Sequence, residues 1–267
     1  MDRLLFLGVG AIAQAVRRAL PDLPAAGTTR AAPDARFATL SALEAGNSAA
    51  IRSAARGAHV LVSFPPDGHS DAEFAALCGD AAHVTYLSST AVYASGVVTE
   101  ASPVVAAGER AQLRLAAEAA WHSVGASVLR LPAFYGRASG LHLSLARGTF
   151  RMPGDGRNIV SRVHEDDAAR FVLAAFRAPR GALLLAGDSE PASVAQVVAF
   201  VCELFQLPAP PTSEGDAIPL SLRNDRFIDN RLTRSSFGIE LRFPTYREGY
   251  RALHTRVDQP DPIDLPG

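Results

Sequence analysis

Residues 4–13 read Leu4-Leu5-Phe6-Leu7-Gly8-Val9-Gly10-Ala11-Ile12-Ala13. Four apolar residues end at a glycine, a second glycine follows two positions later, and an alanine-rich stretch then takes over. This is the pattern of a buried strand, a tight turn and the first turn of a helix. Gly8 permits the turn, and Gly10 lets the backbone approach a pyrophosphate. Ala13, in the position of a third glycine, is small enough for the helix to pack on the strand. The N–H groups of Gly10, Ala11 and Ile12 would then face the phosphates at the helix N-terminus. The stretch predicts the opening of an α/β fold that binds a dinucleotide.

The chain beyond it repeats the alternation. Apolar runs at Ala58–Phe64, His83–Leu87, Ser127–Leu131 and Ala182–Ala186 read as strands, with weaker ones at Ala25–Thr29 and Phe37–Leu40. Helical stretches lie at Ala11–Leu20, Asp71–Cys78, Glu109–Ser123 and Glu165–Ala178. Continuous apolar strands separated by helices predict a Rossmann-type, doubly wound parallel sheet covered on both faces. After about residue 187 the pattern changes to a helix at Val194–Phe205, a Pro-rich segment LPAPPTSEGD, and an Arg-rich tail with a last helix near Arg247–His254. We therefore expect a core over 1–186 and a small C-terminal cap over 187–267 packed on it as part of one structural domain.

Composition narrows the function. The 267 residues are 48% hydrophobic with a formal net charge of -1, enough for a full core and unlike a nucleic-acid binder. The N-terminal order of charges and glycines is wrong for a secretory leader, and no apolar run is long enough for a membrane span, so a cytoplasmic protein is expected. Cys78 and Cys202 sit in apolar patterns and suit buried thiols. There is no lysine: all 26 basic residues are arginine, which excludes a Schiff-base lysine and a P-loop lysine. Arginine stays charged at any working pH and cannot act as a general base.

About 20 residues past the turn, an NAD site offers an acidic residue to the ribose hydroxyls. This chain has Gly27-Thr28-Thr29-Arg30 there. Thr29 and Arg30 suit a 2′-phosphate, which favours NADP, while Asp34 keeps NAD open.

Further on, Ser88-Ser89-Thr90-Ala91-Val92-Tyr93, Arg130-Leu131-Pro132-Ala133-Phe134-Tyr135-Gly136, Gly154-Asp155-Gly156 and Arg162-Val163-His164-Glu165-Asp166-Asp167-Ala168 follow in order. Together they resemble the extended short-chain dehydrogenase/reductases, the NAD-dependent epimerase/dehydratase family. With the ending FGIELRFPTYREGY, the chain is most similar to an atypical branch, the YeeZ-like NAD(P)-binding proteins. The resemblance implies an oxidoreductase or epimerase acting on a sugar-like or nucleotide-linked alcohol or carbonyl. It places Ser63, Phe64, Pro65, Ser88, Pro132 and Ala133 against the cofactor, and it often goes with a homodimer formed through a helix like 109–123.

The family's chemistry uses a Ser or Thr, a Tyr, and a Lys four residues after it. Ser89 matches the hydroxyl. With Glu118 setting the register, Arg110 stands at the Tyr and Arg114 at the Lys. Arg114 can hold the nicotinamide ribose, but Arg110 cannot pass a proton. Tyr135 and Tyr93 are then the candidate phenols, with Tyr86 behind them, and packing is the competing role for each. An alternative is a dinucleotide-binding sensor without turnover. His164-Glu165-Asp166-Asp167 has no metal-ligand spacing and reads as the charged start of a helix, so no metal is expected. Arg223, Arg226, Arg231 and Arg234 in the tail suit an anionic substrate or a solvated face.

Overall fold

The computed structural model describes residues 1–213 and 225–255. The opening stretch is strand β1 (Leu4–Leu7) followed by helix α1 (Ala11–Ala19). Next come β2 (Ala25–Thr29), β3 (Ser41–Glu44), helix α2 (Ser48–Ala55), β4 (His59–Val62), α3 (Ser70–Leu77), β5 (His83–Ser89) and α4 (Glu109–His122). Strands Ser127–Leu131 and Leu183–Leu185 complete a seven-stranded sheet. Its order is Leu183–Leu185, Ser127–Leu131, β5, β4, β1, β2, β3, with every pair parallel. The order reverses at β1, which puts a crevice at the carboxyl ends of β1 and β4, where open α/β sheets take ligands.

Alternation along β1 explains why both faces are covered. Leu4 and Phe6 join α1 and helix Glu165–Ala175 in one core; Leu5 and Leu7 join Ile51, Tyr86 and Trp121 in the other. Each such fully buried side chain contributes about 1.5–3 kcal/mol. Gly27 is needed where β2 passes under the turn, because a Cβ there would come within 2.5 Å of the Val9 side chain.

One expectation fails at the β2–α2 connection, and one helix there adds to those expected. Phe37–Leu40 is not a strand: Asp34 accepts from the Arg36 N–H and caps a short 3-10 turn at Ala35–Phe37, which drops Phe37 into the core. The strand there is β3, a mostly exposed sheet edge with no apolar run to reveal it. The following helix α2, capped by Asn47 accepting from the Ala50 N–H, went unread in the sequence.

A second layer sits at the carboxyl edge. It pairs Ala133–Tyr135 with Arg162–His164 and Met152–Pro153 with Thr212–Ser213. A four-stranded sheet runs Ala192–Ser193, Ile159–Val160, Arg226–Ile228, Gly96–Val98. The layer thus draws on chain from both sides of residue 187. The C-terminal segment is fastened by Asp167, whose two carboxylate oxygens accept from the Arg242 and Phe243 N–H groups at 2.7 and 2.9 Å. Among the described residues no helix is long and apolar enough to cross a membrane.

At the opposite edge of the sheet, His83 Nε2 meets Ser127 Oγ at 3.0 Å, with His59 stacked beside it. Burial, then His59 and Arg180, push the His83 imidazole down to about 4. The unfolded chain therefore takes up a proton near pH 6.5 that the folded chain refuses, and stability falls between about pH 6.5 and 4 by up to ~3 kcal/mol. Chemical denaturation across that range is expected to show a shallower loss in His83→Gln than in the wild-type chain; parallel curves would remove His83 as the cause.

Candidate functional site

The crevice starts from the turn between β1 and α1. Gly8 has φ +88°, a left-handed conformation, and a Cβ there would approach Phe64 N to 3.1 Å. The turn is held from both sides: the Gly8 N–H donates to Thr28 Oγ1 at 2.9 Å, and Ser63 Oγ donates to the Gly8 carbonyl at 2.8 Å. Gly10 then stands at the helix N-cap with nothing within 4 Å of where a Cβ would be. No side chain caps α1 and its first turn carries no acidic residue. Its leading N–H groups and the positive end of the helix dipole are open to an anion. An uncapped helix end beside an empty Cβ position fits a pyrophosphate.

Gly10, Ala11 and Ile12 form one wall of a cleft of about 270 Å³. Ser63, Phe64 and Pro65 form the next wall, and Leu87, Ser88, Ser89, Arg114, Leu131, Pro132 and Phe134 close it. Nine of the residues expected at the cofactor from the sequence, and Ser89, are therefore brought together. Gly8 lies beneath them, and Ala13 is buried in the helix–sheet contact. Ala133 is replaced by its neighbour: alternation along Ala133–Tyr135 points Phe134 into the cleft.

Thr29 and Arg30 line a second cavity of about 580 Å³ at the ends of β2 and β3, with Glu44 among its other residues. The Arg30 side chain is 74% exposed and lies 3.7 Å from Asp67. Such an exposed pair is worth little and leaves the guanidinium free to turn. Asp34 is committed elsewhere. Arg36 grips both its oxygens, at 2.9 and 2.7 Å, and holds the carboxyl down at about 2. Glu44, which carried no motif in the sequence, is the acidic residue facing this cavity.

The two arginines of α4 separate. Arg110 is exposed, whereas Arg114 reaches the cleft and donates from Nη1 to Tyr86 Oη and to the Leu87 carbonyl, each at 3.0 Å. Behind Ser88 lies a buried polar network. The Ser88 hydroxyl donates to Glu118, and Arg130 pairs with both Glu118 oxygens, at 2.9 and 2.6 Å. Arg130 also donates to Tyr93 Oη at 2.6 Å, and Arg226 donates to the Tyr93 carbonyl at 3.1 Å. Every member that lies deep is satisfied, so the network fixes the wall that carries Ser88.

The candidate phenols lie outside the cleft. Tyr93 is buried under Arg130, and Tyr86 under Arg114. Tyr135 points away from Phe134 and stacks on Tyr250 with centroids 4.4 Å apart. Burial raises the pKa of all three phenols, that of Tyr86 and Tyr135 beyond any working range. Ser89 Oγ accepts from the Ala91 N–H at 3.2 Å, so it caps the next turn while facing the cleft. In the tail, Arg231 pairs with Asp229 and Arg234 donates to Ser189 Oγ; Arg223 lies outside the described residues. His164 Nδ1 accepts from the Asp166 N–H, the cap expected of that cluster.

Truncating one partner of a buried ion pair leaves the other charge uncompensated, at about 3–5 kcal/mol. Glu118→Leu should lose that much stability by urea denaturation. A loss below about 1 kcal/mol would show that Arg130 finds another partner.

No family model matches the chain, and no curated protein matches it. Solved structures do. A conserved protein of unknown function from Silicibacter pomeroyi is 28% identical with a TM-score of 0.81, over 95% of this chain and 98% of that one. MoeE5, solved with UDP-glucose and NAD, is 19% identical with a TM-score of 0.79, over 95% and 97%. UDP-glucose 4-epimerase from Thermotoga maritima, solved with UDP-glucose, is 14% identical with a TM-score of 0.77, over 95% and 97%. The chain therefore has the Rossmann-type fold of the NAD-dependent epimerases and dehydratases.

Proposed function

We propose that the chain binds a nicotinamide dinucleotide along this cleft, NADP in preference to NAD, and acts on a sugar-like or nucleotide-linked alcohol or carbonyl. The observation that carries the reading is the uncapped N-terminus of α1 opening onto the same cleft as Ser88, Ser89, Arg114 and Pro132. The pyrophosphate would lie on Gly10–Ile12, and the adenosine end would reach the cavity of Thr29 and Arg30. Arg30 supports a 2′-phosphate ligand, since its side chain lines that cavity and Asp34 does not. MoeE5, of the same fold, is solved with NAD and a UDP-sugar, which supports both the cofactor class and the substrate class.

When bound, the nicotinamide supplies hydride transfer. The protein's own part is to hold and orient. Arg114, braced on Tyr86 and Leu87, would grip the ribose, and the Ser89 hydroxyl would hydrogen-bond a substrate oxygen. One observation favours a second reading, a dinucleotide-binding sensor without turnover. Among the described residues that line the cleft, none has a side chain that exchanges protons near neutral pH.

Fluorescence titration with NADPH and NADH tests the cofactor. NADPH should bind more tightly, and Arg30→Ala should weaken NADPH about tenfold, ~1.4 kcal/mol, while leaving NADH unchanged. Arg114→Ala should weaken both dinucleotides, and Arg110→Ala neither. Tighter NADH would transfer the ribose role to Glu44, and binding of neither would end the proposal. Turnover of any sugar-like carbonyl, followed by NADPH absorbance, would rule out the sensor.

A further inference from the structure

The strand Ala133–Tyr135 has two faces. Phe134 belongs to the cofactor cleft; Tyr135 faces the other way. In the parallel pairing, Ala133 stands opposite Arg162 and Tyr135 opposite His164, so Arg162 and Tyr135 share that face. Helix Tyr246–Thr255 closes it with Tyr246 and Tyr250, four residues apart and on one side. Gly249 between them leaves the notch that the Tyr135 phenol occupies; any Cβ there would run into it. Asp188 completes the enclosure, its N–H donating to the Arg162 carbonyl at 2.6 Å.

This cluster is polar and incomplete. Arg162 is buried, yet it makes no ion pair among the described residues. Its Nη1 donates to the carbonyls of Val160, at 2.8 Å, and Ala192, at 3.3 Å. Asp188 Oδ1 accepts from the Glu190 N–H at 3.3 Å, but Oδ2 is buried without a partner, as are Tyr135 Oη and Tyr246 Oη. The charges of Arg162 and Asp188 each act on Tyr135, Tyr246 and Tyr250, which places the groups together. Burial pushes the Asp188 carboxyl up to about 8, against the pull of Arg162. Each buried polar group left unsatisfied costs about 1–3 kcal/mol, and folded proteins rarely tolerate three in one place. What these groups lack is a partner that accepts from the Arg162 guanidinium and from both phenol hydroxyls.

We propose that this cluster is a second binding site, separate from the cofactor cleft, which takes a small carboxylate against Arg162 with the hydroxyls of Tyr135 and Tyr246 as donors. A planar carboxylate matches a guanidinium by two parallel hydrogen bonds and has lone pairs left for the hydroxyls. The inference does not rest on nucleotide binding, since none of these side chains lines the cleft.

The test is thermal unfolding of the full chain in increasing sodium acetate, with sodium chloride replaced to keep ionic strength constant. Acetate should raise Tm as the logarithm of 1 + [acetate]/Kd, by about 3–6 °C at a hundredfold excess over Kd. Tyr246→Phe and Tyr135→Phe remove one hydroxyl each and keep the ring packing, so both should fold. Each should raise the apparent Kd about three- to tenfold, and Arg162→Met should abolish the effect. No acetate-specific rise in Tm of the wild-type chain would overturn the proposal and leave water as the occupant. Equal Kd values in the wild-type and both phenylalanine variants would overturn it as well, placing the acetate elsewhere.

Discussion

Two hydroxyls hold the turn on which the crevice depends. Thr28 Oγ1 takes the Gly8 N–H, and Ser63 Oγ gives its proton to the Gly8 carbonyl. The residues come from β2 and from the end of β4, the strands on either side of β1 in the sheet. The turn is thus clamped by its neighbours, and α1 starts at a fixed height above the sheet edge. Because Gly10 supplies no side chain, the positive end of α1 has no internal partner. That end opens onto the cleft, and in the proposed function a phosphate of the dinucleotide meets it.

The far wall is fixed by charge. Glu118 and Arg130 pair away from water, with Ser88 on one side and Tyr93 on the other. Such a pair gives little net stability, because desolvation offsets the attraction. It does define geometry: helix α4, β5 and the strand Ser127–Leu131 meet at one point, and Arg114 follows from the placement of that helix. Arg226 on the Tyr93 carbonyl extends the same network into the second layer. The cleft and the layer above it are therefore joined by hydrogen bonds and not only by apolar contact.

The parts that were legible in the sequence have a strong local cause. The turn at Gly8 is dictated by glycine geometry, and the central strands by burial on both faces. β3 was not legible because it is mostly exposed at the sheet edge, and α2 because Ile51 is its one apolar residue larger than alanine and gives no periodic stripe. The arginine pair shows a different limit. Arg110 and Arg114 share a helix face, but one helical turn shifts a side chain about 5.4 Å along the axis. That shift takes Arg114 to Tyr86 and leaves Arg110 in solvent. Likewise, a two-residue period says that Phe134 and Tyr135 diverge, not which of them faces the cleft. Strand pairing decides that, and pairing is long-range. The polar cluster around Arg162 joins residues from four separate segments and left no local signature.

The most direct measurement is the backbone amide spectrum of the isotopically labelled chain on addition of NADPH. If the end of α1 is the anion site, the N–H signals of Gly10, Ala11 and Ile12 should shift most, together with those of Ser88, Ser89 and Arg30. Those of Tyr135, Arg162 and Asp188 should shift less. Shifts that leave Gly10–Ile12 unmoved would contradict the account, whatever the affinity.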